Sequence, residues 1–182
     1  MGAMLGFSRL VDGINTVCGA IAAWMVLLSC VISAGNAIIR YSLNYSSNAW
    51  LEVQWYLFAG TVMLGAGFTL LRNEHVRVDL VFGNISPRAR LWVDVLGLIF
   101  FLLPATTMLA WMTWPFFLDS YMRAETSANA GGLILWPVKL ILPVGFALLS
   151  LQGISELIKR IALLRGIRPE AEVVTEYHRP DQ

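Results

Sequence analysis

The chain has 182 residues, 57% hydrophobic and only 14% charged, with a mean hydropathy of +0.65 and a formal net charge of +1. Soluble domains carry about 25% charged residues, so an ordinary soluble fold is excluded. The near-neutral balance gives no support for a nucleic-acid partner.

The missing charge is concentrated in four apolar stretches, and a span needs about 20 predominantly apolar residues. The first, 13–39, is uncharged between Asp12 and Arg40. It is far longer than the ~7–15-residue core of a signal peptide and reads as a retained helix. Cys18 and Cys30 fall in this stretch, ~18 Å apart on a helix, and cannot bridge within it. Ser29, Ser33 and Ala37 form a stripe of small residues suited to close helix packing.

The second stretch, 50–71, carries Glu52 near its start and a second small-residue stripe, Thr61, Gly65 and Thr69. The connection that follows, 74–86, alternates Val76, Val78, Leu80 and Phe82 with His75, Arg77 and Asp79. Apolar and charged residues mixed this way suit a membrane surface or a partner groove, and the stretch reads as a docked interfacial segment.

The third stretch, 91–118, has the clearest start. Ser86 can cap it and Pro87 suits the first helical position. Pro104 is a mid-span kink candidate and Pro115 reads as the frayed end. The fourth, 133–154, contains Lys139, with Pro143 as a bend candidate. Residues 166–182 read as a polar cytoplasmic tail beyond a transmembrane domain of 1–165. Ten basic residues lie at the N-terminus, second connection and tail, against two, Arg40 and Arg123, on the other side. This bias places both termini in the cytoplasm. Trp50, Trp55, Trp114 and Trp136 then gather toward the outer ends. The fold class is an all-α integral membrane protein of four transmembrane helices, N-in and C-in. Period-2 alternation that would signal a barrel is absent from the four runs.

Chemistry has little to stand on. The only histidines, His75 and His178, lie outside the spans, so a haem held by two helix histidines and a His-activated nucleophile are both excluded. No residue cluster has metal-ligand spacing and no phosphate-cradling loop occurs. The reading is no enzyme, no metal and no cofactor. Glu52 and Lys139 are the most informative ionisable residues. They fit a structural ion pair, a snorkelling lysine, a partner contact or a proton-coupled site. The spans show no midplane constellation that could hold an ion or a substrate.

Together these motifs resemble the small, DctQ-like membrane subunit of tripartite ATP-independent periplasmic (TRAP) transporters. The matching residues are Asn48-Ala49-Trp50-Leu51-Glu52, the block Asn73-Glu74-His75-Val76-Arg77-Val78-Asp79, and a late stretch. That stretch runs from Glu125-Thr126-Ser127 and Gly131-Gly132-Leu133 through Trp136-Pro137-Val138-Lys139 and Leu142-Pro143-Val144-Gly145-Phe146 to Leu151-Gln152-Gly153. The resemblance covers about 10–165. It implies a bacterial inner-membrane subunit that braces a large elevator-type subunit. That partner would perform Na⁺-coupled uptake of an organic acid delivered by a periplasmic binding protein, in contact with membrane lipids. Glu52, His75, Arg77, Asp79 and Lys139 are then expected at the partner interface. The competing readings are a membrane anchor or assembly factor outside transport, and a small dimeric proton-coupled exporter using Glu52.

Overall fold

The computed structural model describes residues 2–45, 47–75, 85–129 and 131–167. Four helices long and apolar enough to cross a membrane make up almost all of it: α1 (Gly2–Leu43), α2 (Asn48–Leu71), α3 (Pro87–Met122) and α4 (Trp136–Leu164). Among the described residues the only strand-like pairing is one antiparallel bridge, Thr126 to Ile134. The chain is an all-α, multi-pass membrane protein.

The helices extend beyond the apolar stretches at several ends, for local reasons. Ser86 accepts a bond from Ala89 N at 3.3 Å and Pro87 opens α3, satisfying a donor that the first turn leaves orphaned. Pro115 does not end α3, which continues to Met122. There Phe117 and Tyr121 pack with Trp136 of α4, holding the turns beyond the proline. The ends of α2, α3 and α4 share one motif. Asn73, Ala124 and Gly166 adopt positive φ, and each end makes the paired 6→1 and 5→2 bonds, Ile167 N to Ala162 O and Gly166 N to Leu163 O in α4. The proposed tail, beyond Ile167, lies outside the described residues, as do 76–84 of the proposed interfacial segment.

α4 is the hub. It packs against α1, α2 and α3, whereas α3 leans chiefly on α4. Small residues set these approaches. A Cβ on Gly145 of α4 would stand 2.7 Å from the Met63 Cβ of α2. One on Gly67 of α2 would collide with the Asn15 side chain of α1. Helices meet this closely in lipid because van der Waals packing, not hydrophobic burial, holds them.

The small-residue stripes divide. Gly65 packs on Ala22 of α1, and Thr61 and Thr69 return their hydroxyls to their own helix at Leu57 O and Gly65 O. Ser33 and Ala37, expected inside, are exposed. The buried seam of α1 is instead Ser8, Val11, Asn15 and Ala22. The antiparallel register fixed by Ser8–Ser155 and Asn15–Gln152 sets the start of α4 level with roughly residue 29 of α1. Beyond that point α1 outruns the hub.

Candidate functional site

Two polar clusters tie the helices together, one at each end. They are separated along α4 by the twenty helical steps from Lys139 to Lys159, about 30 Å, the thickness of a bilayer's hydrocarbon core.

The first cluster is built on the connection between α3 and α4. Residues 125–129 and 131–135 pair through Ser127 N to Leu133 O and Leu135 N to Glu125 O, both 2.9 Å, with Gly131 at φ +73° near the tip. Glu52, near the start of α2, receives this loop. Its Oε1 accepts from Ser127 Oγ and from Asn129 Nδ2 at 2.8 Å, and its Oε2 accepts from Leu133 N at 2.8 Å. Tyr56, one turn on, donates to Ile134 O at 3.1 Å. Lys139 does not meet Glu52. It pairs with Glu125 and lies 4.1 Å from the centre of the Phe116 ring. Charge-assisted contact with Lys139 holds the Glu125 carboxyl below the ordinary carboxylate range. The two ionisable residues that stand out in the sequence thus secure the same loop from two helices.

The second cluster is larger and was not singled out in the sequence. Asn15 of α1 donates to Gln152 Oε1 of α4 at 2.9 Å, and neither side chain has any exposed surface. Gln152 donates onward to Asp12 Oδ1 at 2.9 Å and to Glu156 Oε1 at 3.1 Å. Ser155 donates to Asp12 Oδ1 at 2.8 Å and shares a bond with Ser8. Lys159 lies 3.2 Å from Asp12 Oδ2 and pairs with Glu156 as well. Glu156, 4% exposed, also pairs with Arg160, whose Nε reaches Asp94 Oδ2 of α3 at 2.9 Å. One connected network therefore joins α1, α4 and α3. Its carboxylates and cations alternate, so each buried charge faces an opposite one, as burial requires. A separate bond, Ser150 Oγ to Thr106 Oγ1 at 2.8 Å, joins α4 to α3 nearer mid-helix.

Part of this network was hidden by a boundary. Ending the fourth span at 154 leaves Lys159 and Arg160 beyond the apolar run, whereas α4 continues to Leu164 and buries both. The available signal was periodicity. Gln152, Ser155, Glu156 and Lys159 recur at spacings of three, one and three, which is one helical face. Of the remaining expected interface residues, one lies among the described residues. His75 is exposed at the end of the described part of its connection, and Arg77 and Asp79 lie outside the described residues. No group of three or more metal-ligating side chains occurs among the described residues.

This architecture, four spans with their polar groups tied internally, agrees with a match to the family described as "Tripartite ATP-independent periplasmic transporters, DctQ component", over residues 29–163. The chain belongs to the DctQ family. It is a small permease subunit of a TRAP transporter, from a family of transporter components rather than enzymes. The matched region includes Glu52, the 125–135 loop and the Gln152–Arg160 face of this DctQ-family chain. No match was found among curated proteins or among solved structures.

Proposed function

We propose that this subunit is a scaffold. It sits in the bacterial inner membrane with both termini cytoplasmic, and braces a large elevator-type subunit that performs Na⁺-coupled uptake of an organic acid delivered by a periplasmic binding protein. Membership of the DctQ family carries the reading. The charge arrangement supports it: the ionisable groups of both clusters are taken up by partners within the chain, which suits a brace better than a path for ions. Large apolar side chains on α1 and α3, Trp24, Val31, Phe100, Phe101 and Trp111 among them, stand uncovered for lipid or a partner subunit.

The proposed interface residues divide into two kinds. His75, Arg77 and Asp79 contact the large subunit directly. Glu52 and Lys139 act through the shape of the 125–135 loop. A proton-coupled exporter built on Glu52 is disfavoured because both carboxylate oxygens are engaged, one of them by a backbone N–H.

Co-expression with the large subunit tests the proposal. Arg77→Ala and Lys139→Ala should weaken co-purification and uptake while the small subunit alone still inserts. Unchanged assembly and uptake in both variants would remove the docking role. Solute translocation by the small subunit alone in proteoliposomes would overturn the scaffold reading.

A further inference from the structure

α3 is not one regular helix. Between Pro87–Gly97 and Leu103–Met122 it makes a wide turn, Leu98–Leu102, in which Leu103 N bonds to Leu98 O, five residues back. Pro104 follows at once. It has no N–H to give to Phe100 O, and its ring crowds that carbonyl in a regular helix, so an α pattern is disfavoured at this point.

The wide turn has a consequence for register. Thr106 faces α4, where it meets Ser150, and Asp94 also faces α4, where it meets Arg160. The two are twelve residues apart. On a regular helix, at ~100° per residue, they would point about 120° apart. A five-back turn takes in one residue more than a four-back turn, and discounting that residue brings them within about 20°. Leu98 shares this face and is buried, whereas Phe100 and Phe101 in the turn are 66% and 76% exposed. Opposite the turn, α4 presents Gly153, where a Cβ would stand 2.6 Å from Leu102 Cδ2. The hub helix leaves room at that level for the Leu102 and Leu103 side chains that the turn presents.

We propose that the wide turn, held by Pro104, is a one-residue register device. It rotates the N-terminal arm of α3 so that Asp94 closes the ion network on Arg160. Reversion of the same chain to a regular helix would turn Asp94 about 100° away and open that end of the network.

The test is the coupling between Asp94→Asn and Arg160→Gln, read as the non-additivity of their losses in thermal stability in the full chain in nanodiscs. A cycle is needed because each residue has further neighbours. The intact chain should show coupling. Deleting Phe100, an exposed residue of the turn, while Pro104 still holds the turn wide should shift the register by one residue and diminish the coupling. Pro104→Ala at full length should diminish it, and combining Pro104→Ala with the deletion should restore it. A Phe100-deletion chain that keeps the coupling at full size, or a combined chain that does not fold or does not recover it, would overturn the proposal. So would a Pro104→Ala chain whose coupling matches that of the intact protein.

Discussion

Asn15 and Gln152 lock α1 to α4 through a single amide–amide bond of 2.9 Å between two side chains without exposed surface. A buried donor or acceptor that loses its partner forfeits about 1–3 kcal/mol, more than the bond itself contributes. Gln152→Leu removes the side-chain partner of Asn15, which keeps only its bond to Val11 O, and also the amide that donates to Asp12 and Glu156. It should therefore destabilise the chain more than Asn15→Leu does. The double variant should recover part of the loss, because both ends of the amide pair are then apolar. Thermal unfolding of the three variants in detergent checks the order.

Glu156 is the pivot of the same network, since it alone touches both Lys159 and Arg160. Removing one member of a buried ion pair leaves an uncompensated charge, at a cost of about 3–5 kcal/mol. Glu156→Ala takes one partner from each of two buried cations, leaving Lys159 with Asp12 and Arg160 with Asp94, and should cost up to about that much. Glu156→Gln keeps an acceptor and should lose less. Folded yield after membrane insertion, measured by size exclusion, separates the two. Equal, reduced yields for Ala and Gln would show that the neutral acceptor adds nothing and that the network depends on the carboxylate charge.

The number of spans and their rough positions were legible from hydropathy alone, because a run of about 20 apolar residues has few other uses. The cap at Ser86 was legible because capping is a local matter. What eluded the sequence depended on contacts between helices. Glu52 and Lys139 stood out as charges in apolar runs, yet nothing local shows that one takes Leu133 N and the other Glu125. The Asp12–Arg160 network was missed because charges beyond an apolar run look like solvated flank until a neighbouring helix covers them. Pro104 was readable as a perturbation, but whether it yields a kink or a wide turn depends on what lies opposite, here Gly153.

Glu52 organises the 125–135 loop with both oxygens, and its variants should differ in kind. Glu52→Gln keeps an oxygen for Ser127 and Asn129 but offers an NH₂ group to Leu133 N, which cannot accept its hydrogen. The expected result is faster amide exchange confined to Leu133 and its neighbours. Glu52→Ala releases all three partners, so exchange should rise across the whole loop, and protease should gain a cutting site there. Hydrogen exchange by mass spectrometry resolves the two patterns. Protection at Leu133 that survives both substitutions would show the loop to be held by its own backbone bonds.

The Glu125–Lys139 pair predicts a pH response whose sign follows from the carboxylate. The Glu125 pKa is lowered in the folded chain, chiefly by its bond to Lys139. A lowered folded pKa means that the unfolded chain binds the proton more readily. The contribution is therefore fully present above the unfolded value of about 4.3 and declines as pH falls through the folded value. Thermal stability of the native chain relative to Glu125→Gln should thus be constant from neutrality down to about pH 5. Below about pH 4 the difference should close. Because Glu125 is open to solvent on one side, added salt should shrink the gap at neutral pH as well. A gap that widens on acidification would mean that Lys139 is not the partner that sets the Glu125 charge.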